Sequence, residues 1–544
     1  MKATFLGQAG IFIETANASI LCDPWFNPSY FASWMPFPRN DGIDPERIGH
    51  PTYLYVSHLH RDHFDPVWLA AHCDKDAIVV LPDYGLETLR DELTKLGFHR
   101  FLQTRNGEQF ATGHGVTFQV ESLTAPTDGP IGDSALIVDD GTHRLLNLND
   151  SRPTDPDHLI EFGPIDLLFW QFSGAIWYPM VYELPPRAKG VLGHKKRVAQ
   201  LARAYRYLEL LKPRFGVPSA GPPCFLDDDL FMHNDVDGDP NNIFVDQTVF
   251  LDYIRERAQF DARLMVPGSV GTLANGSFEV EHPFPDGEVR AIFTSKEAYL
   301  KRYQADWRDR IEAERRQWHG ERLDLVAELK AWFEPLLAQA DQMSAGVDGA
   351  ILLDVGDERI RIDFRDRTVS RQPDGVFDFD YRLSVDRYLV ETCVRNREPD
   401  WVNSLFLSMR FRAWRRGAYN EYVYTWFKCL TEERLQYAEG FYAEAGTPGG
   451  TFELCGYEVQ RRCAHMKADL TRFGVCEDGV LTCHLHNWQW DLATGRCLTS
   501  PGHELRVRPI GKGPGLTSER VEEGSTGSGD AALHHDEEPA PNEV

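Results

Sequence analysis

Tyr53-Leu54-Tyr55-Val56, followed at once by Ser57-His58-Leu59-His60-Arg61-Asp62-His63, is the stretch that decides how the first half of this chain folds. The first four residues have the unbroken apolar pattern of a buried strand. The next seven set three imidazoles and a carboxylate on one short loop, two His two residues apart and then an Asp-His pair. Imidazole and carboxylate are transition-metal ligands, so this order at a strand end reads as one wall of a metal site. A His-rich loop is otherwise a solvated surface segment, and the buried strand directly before it argues against that reading.

The surrounding chain extends the pattern. Met1 to Glu14 reads as a first strand with a turn at Gly7-Gln8-Ala9-Gly10, and Ile20-Leu21-Cys22-Asp23-Pro24-Trp25 as a later one. Leu145-Leu146-Asn147-Leu148-Asn149-Asp150 reads as a strand that delivers an aspartate at its end. The order HxHxDH across His58, His60, Asp62 and His63 resembles the signature of the metallo-β-lactamase fold, and that resemblance implies Asp150 as the bridging, distant ligand. Alternating strands and helices with ligands at strand ends imply an αββα sandwich over residues 1–285.

Two departures bear on the chemistry. Thr124 to Ser134 contains no His where a hydrolase of this fold supplies one, and Val217-Pro218-Ser219-Ala220-Gly221-Pro222-Pro223 occupies the strand end expected to carry the last. Asp128, His194 and His233 could compensate, although each also reads as a surface residue or a support for a ligand. With two imidazoles missing, the expected site is hard and open. His plus carboxylate with vacant positions suits oxygen-activating iron(II), mononuclear or dinuclear, better than a zinc pair.

A second metal-binding pattern lies near the other end, at Cys463-Ala464-His465 and Cys483-His484-Leu485-His486, separated by the seventeen residues Met466 to Thr482. Two Cys and two His also make a zinc site. Zinc fingers usually pair Cys with Cys and His with His, whereas here each loop contributes one of each. That is the supply a [2Fe–2S] centre needs when two thiolates bind one iron and two imidazoles the other. Asp478-Gly479-Val480-Leu481 and Asn487-Trp488-Gln489-Trp490-Asp491 resemble the flanks of the second Rieske loop. Cys463, His465, Cys483 and His486 are therefore the expected cluster ligands, with His484 a bystander. Met466 and His484 stand where respiratory Rieske proteins carry a disulfide that clamps the two loops, so the oxygenase type fits better.

The 544 residues suggest two to four domains. Against 57 Lys and Arg stand 83 Asp and Glu, a formal charge of −26 that disfavours nucleic-acid binding. Of ten Cys, five (Cys455, Cys463, Cys476, Cys483 and Cys497) crowd into the cluster region, and the rest are scattered singly. This usage suggests reduced thiols in a cytoplasmic protein rather than a disulfide framework. Met1 to Gly7 begins as a strand with no signal-peptide pattern, and no apolar run is long enough for a bilayer, so no membrane association is expected.

Between the two metal regions, residues 286–444 read as an α+β helical scaffold module. Tyr299, Leu300, Tyr303, Trp307 and Ile311, then Leu325, Leu329, Trp332, Phe333 and Leu336, recur at helical intervals, and Pro335 should kink or close the second helix. Ala350 to Val355 and Arg359 to Phe364 alternate as a hairpin around Gly356-Asp357. Helices are expected from Val385 to Val394 and from Trp401 to Leu430, the latter carrying a basic cluster of Arg410, Arg412, Arg415 and Arg416. The module faintly resembles a sterol-carrier-like domain. Gly446 to Gly450 reads as a linker into a Rieske β-sandwich over 445–511, and residues 512–544 as a disordered acidic tail.

The combination resembles the CMP-N-acetylneuraminate hydroxylase family, which joins a Rieske module to a metallo-β-lactamase-like domain. Matching pieces are Ser57 to His63, Asp133-Ser134-Ala135-Leu136-Ile137-Val138, and Gly141-Thr142-His143-Arg144-Leu145-Leu146-Asn147 leading to Asp150-Ser151-Arg152-Pro153. The animal hydroxylases carry the Rieske module first and this chain carries it last, so the resemblance implies a reaction type and leaves a sugar nucleotide as one candidate substrate. It implies a Rieske non-haem iron monooxygenase. A ferredoxin, flavoprotein reductase or cytochrome b5-like donor would reduce the cluster, and O2 would be activated at iron held by residues drawn from His58, His60, Asp62, His63 and Asp150. The alternative is a metallo-hydrolase with zinc-activated water and the Rieske module as a redox or docking element.

Overall fold

The computed structural model describes residues 1–174, 176–444 and 450–510. Most of the expected linker and all of the expected tail, with Gly511, lie outside the described residues. The chain separates into two compact units, Met1–Gly446 and Thr447–Val544.

The first unit opens with two facing sheets. One runs Ser277–Glu281, Val270–Ala274, Lys2–Gly7, Gly10–Glu14, Ser19–Cys22, Tyr53–Tyr55, Ile78–Leu81 and Phe101–Gln103 in spatial order. The other runs Asp261–Ala262, Phe215–Ser219, Leu167–Gln171, Arg144–Asn149, Asp133–Asp139, Thr117–Leu123 and Gln109–Ala111. Strand alternation sorts the side chains. Phe5, Ile11, Ile13, Ile20, Tyr53 and Tyr55 meet Phe118, Val120, Leu136, Val138, Leu145 and Phe169 between the sheets. Leu6, Phe12, Leu21 and Leu54 point the other way, onto Trp68, Leu69, Leu89 and Leu93 of the helices Pro66–His72 and Thr88–Lys95. The long helix Pro186–Leu211 covers the second sheet, where the indole of Trp170 donates to the Ala204 carbonyl at 3.1 Å. This is an αββα sandwich. Tyr53–Tyr55 and Arg144–Asn149 each belong to a parallel pair, and the loops that carry His58–His63 and Asp150 follow their carboxyl ends.

Helices Lys296–Gln317 and Leu325–Leu337 bury the expected stripes, Leu300, Tyr303, Trp307 and Ile311 in the first and Leu325, Leu329, Phe333 and Leu336 in the second. Pro335 sits in the last turn of the second helix. The hairpin Ala350–Asp354 with Arg359–Asp363 forms in antiparallel register within a five-stranded sheet. The expected helix from Trp401 to Leu430 does not form as one element. It resolves into a π-turn Val402–Phe406, a strand Phe411–Arg415 and a helix Glu421–Lys428. Phe411 and Ala413 are buried and Arg412 is exposed, a period of two that the sheet edge selects over a helix. The basic cluster therefore lies along and beside this strand. Arg410 pairs with Asp227 at 2.8 Å, and Arg415 lies over the rings of Tyr178, Tyr182 and Tyr419.

The second unit holds two three-stranded antiparallel sheets, Thr451–Leu454, Tyr457–Gln460 and Val507–Pro509, then Gly474–Glu477, Val480–Cys483 and Trp488–Asp491. The five scattered cysteines, Cys22, Cys73, Cys224, Cys393 and Cys429, form no disulfide, as expected of reduced thiols. In the cluster region Cys455 and Cys476 form a disulfide, which the sequence did not indicate, and the other eight cysteines are buried outside any disulfide. The pair joins the turn of one sheet to a strand of the other and leaves Cys463 and Cys483 untouched, so it is not a clamp between the two ligand loops. No helix among the described residues is long and apolar enough to cross a membrane.

Candidate metal centres

In the front sandwich, Asp23 pins the ligand loop. Its carboxylate accepts from the Ser57 amide and hydroxyl, both at 2.7 Å, and from His63 Nδ1 at 2.9 Å. That contact turns His63 Nε2 inward. His58 is turned the same way, its Nδ1 lying 3.2 Å from Asp133 Oδ1 and 3.0 Å from the Ser57 hydroxyl. His60 is reversed, with Nε2 2.7 Å from Asn403 Oδ1 and Nδ1 turned to His58 Nε2 at 2.6 Å. Gly129, at a φ of +42°, passes over His58, whose Cδ2 a side-chain Cβ there would approach at 3.5 Å.

His58, His60 and Asp150 each place a ligand atom within 4.8 Å of the others. His63 Nε2 lies 3.5 Å from Asp150 Oδ1 and 3.6 Å from Asp62 Oδ2, and His58 Nε2 lies 3.8 Å from Asp150 Oδ1. Donors on a metal with bonds of about 2.1 Å stand roughly 3 Å or more apart, so these separations suit ligands with little movement. His63 Nε2 and Asp150 Oδ1 are buried without a hydrogen-bond partner. Such groups each cost about 1–3 kcal/mol unless something pairs with them, and a cation between the two would do so. Burial, then the neighbouring His58, pushes His60 down to about 3, which keeps the ring in its neutral, metal-binding form. Burial opposes ionisation of Asp150, but His63 and His58 outweigh it and hold that carboxyl well below the usual range. The residues fit a bound metal.

Asp62 is held more firmly than its motif suggests, accepting from Tyr30 Oη at 2.6 Å and from Gln8 Nε2 at 2.9 Å. Of the three candidate substitutes for the missing imidazoles, none joins the cluster among the described residues. His194 contacts the Pro240 carbonyl and His233 packs against Phe225. Asp128 is buried, its carboxylate accepts from the Ala125 amide, and burial followed by the Asp133 charge pushes it up to about 7. Sequence reading missed Gln8, Tyr30, Asp23, Asp133 and Asn403. Gln8, Asp23 and Asp133 lie in segments already singled out, whereas Tyr30 lies beyond the strand Ser19–Cys22 and Asn403 is 343 residues from His60, and neither had a signal.

In the second unit, Cys463 and Cys483 are buried side by side, with a hydrogen bond between their thiols. Amides of His465 and Met466 point at the first sulfur and those of Leu485 and His486 at the second; the Cys463 thiol holds Cys483 below the usual thiol range, whereas burial and then Cys483 push Cys463 well above it. The His465 and His486 rings stand 5.2 Å apart and perpendicular, and Trp488 stacks on His465 at 3.8 Å. The two sulfurs are neighbours and the two imidazoles are neighbours, the pairing that the two irons of a [2Fe–2S] ligand set require.

Comparison with known proteins agrees. Residues 457–509 match the Rieske [2Fe-2S] domain family, and residues 325–444 match the Rv3818-like, SCP2-like domain family. A protein of Mycobacterium tuberculosis (strain H37Rv), named as the Rieske 2Fe-2S iron–sulfur protein Rv3818, is 49% identical over 519 residues, covering 93% of this chain and 99% of the relative. The chain belongs to the Rv3818-like Rieske proteins. In this family member the sterol-carrier-like reading of the central segment thus has a family match behind it, and the Rieske domain assigns the [2Fe–2S] cluster. In the front sandwich, His58, His60 and Asp150 form a donor set that an iron or zinc ion would fit. Among solved structures, Igni18, a metallo hydrolase from Ignicoccus hospitalis, shares 17% identity with a TM-score of 0.35, covering 49% of this chain and 96% of that one. CmlA, a diiron beta-hydroxylase from Streptomyces venezuelae, shares 17% identity with a TM-score of 0.34, covering 48% and 52%. Neither likeness is close enough to assign a reaction.

Proposed function

We propose that this chain is a Rieske-linked oxygenase that hydroxylates a small molecule at the front metal site, a sugar nucleotide being one candidate. The observation that supports the reading best is the pair His63 Nε2 and Asp150 Oδ1, which face one another at 3.5 Å, buried and outside hydrogen-bonding geometry, in a His and carboxylate pocket of a chain that also carries a Rieske domain. Iron bound there would supply oxygen activation, with electrons drawn from the [2Fe–2S] cluster.

The protein's own residues prepare that site. His58, His60, His63, Asp62 and Asp150 supply the ligand atoms, and Cys463, His465, Cys483 and His486 hold the cluster. Asp23, Asp133 and Asn403 fix the rings, and Tyr30 and Gln8 hold the Asp62 carboxylate in place. Tyr84 donates to the Ser57 carbonyl and keeps a phenol ring against the ligand loop. The shortage of imidazoles leaves positions open for O2 and substrate. A ferredoxin, a flavoprotein reductase or a cytochrome b5-like protein is the proposed donor, and the cytoplasm the proposed compartment.

Metal quantification on anaerobically purified protein tests the reading. Iron in excess of the two cluster atoms, with oxygen uptake on reduction, is expected. Two zinc per chain and no oxygen uptake would favour the hydrolase.

A further inference from the structure

Asn403 belongs to the SCP2-like segment, yet its side chain ends in the front metal site. Its Nδ2 group donates to the Gly129 carbonyl at 3.0 Å and to Asp400 Oδ2 at 2.8 Å. Both partners are acceptors only, so the amide cannot be flipped, and Oδ1 must be the atom that faces His60 Nε2 at 2.7 Å. An amide oxygen only accepts. His60 must therefore carry its proton on Nε2, which leaves the Nδ1 lone pair for a metal.

The backbone around Asn403 is built to hold that pose. It lies in the π-turn Val402–Phe406 with a non-helical φ of −91° and ψ of 18°. Asp400, buried, accepts from the Asn403 amide at 2.9 Å and from Arg434 Nη1 at 3.1 Å, which anchors the turn in the central module. The same module grips the loop above the metal site at two more carbonyls. Lys428 Nζ donates to Thr127 at 2.8 Å and Tyr437 Oη to Thr124 at 2.7 Å. Three side chains of one module thus take three carbonyls within six residues of the other, and one of the three also orients a ligand ring.

We infer that the SCP2-like module is a working part of the metal centre, with Asn403 as the positioning residue that sets the tautomer and ring angle of His60. The inference rests on the metal reading but not on the reaction catalysed, so it can be tested without turnover. The experiment uses the full chain with its cluster intact and the front metal exchanged for cobalt(II), comparing wild type, Asn403→Leu and Tyr437→Phe. The cluster's visible spectrum and far-UV circular dichroism report folding in each.

Loss of an outer partner to a ligand His typically costs about 10- to 100-fold in metal affinity, and Asn403→Leu is expected to show a loss in that range. It should also lose one solvent-exchangeable, hyperfine-shifted N–H proton signal, that of His60 Nε2, because nothing then slows its exchange. Tyr437→Phe removes a loop anchor only and should keep both that signal and cobalt affinity within about twofold of wild type, as expected of a change that leaves the ligand's own partner in place. Equal cobalt affinity and an unchanged N–H signal in Asn403→Leu would overturn the inference while leaving the metal reading intact. A wild-type front site that takes up no cobalt would sink both together.

Discussion

His58, His60 and His63 share one loop yet do not turn the same nitrogen toward the site. Asp133, Asn403 and Asp23 each face the other nitrogen, so the ring orientations are set by acceptors from three distant segments. Substitutions at the two centres should consequently separate. Cys463→Ser and His486→Ala are expected to abolish the visible charge-transfer bands while the front metal stays bound. His60→Ala should spare those bands and reduce front-metal content at least tenfold, which metal analysis beside the visible spectrum would check. At this scale much could be read in advance, since HxHxDH and the Cys/His quartet are local in sequence. Asn403 could not, because its role depends on a fold that brings two segments of different architecture together.

Among elements, the strand Tyr53–Tyr55 was legible from its unbroken apolar run, and the hairpin around Gly356-Asp357 and the helix Lys296–Gln317 from periodicities of two and 3.6. The stretch Trp401 to Leu430 misled because apolar and aromatic residues recur along its whole length among the charged ones, and neighbouring strands and the metal loop, not local preference, divide it into turn, strand and helix. Glu398, just before that turn, gives a measurable consequence. Burial and then the Asp400 charge push its carboxyl up from 4.5 to about 7. The folded protein thus holds this proton more tightly than the unfolded chain. That contribution is full below about pH 4.5, declines as pH rises toward 7 and is gone above it. Between about pH 5 and pH 8, wild type should lose roughly 1–2 kcal/mol relative to Glu398→Gln, after allowance for the side chain's partial exposure. Parallel denaturation curves at the two pH values would contradict this. The disulfide was missed because five cysteines lie close together and their spacing does not say which pair. It spans 21 residues, and Cys476→Ser should cost the Rieske unit about 2–4 kcal/mol in urea unfolding with the visible bands retained.

For the molecule as a whole, the pairing of a metallo-β-lactamase-like sandwich with a Rieske domain was legible from two short motifs, and their order along the chain from their positions. The likeness to CMP-N-acetylneuraminate hydroxylases carried the reaction type, and family membership lies instead with the Rv3818-like proteins. The sterol-carrier-like character of the central module was legible and has a family match, but its contribution to the metal site was not, because that is made through buried contacts with the sandwich rather than through a motif of its own. The proposed function requires that electrons held by the cluster be consumed at the front site. Its most direct test is a single-turnover experiment in which the cluster is reduced, excess reductant is removed, and cluster reoxidation is followed after mixing with O2. Wild type is predicted to reoxidise at least tenfold faster than His60→Ala with the same cluster content. Equal rates in the two proteins would contradict the claim.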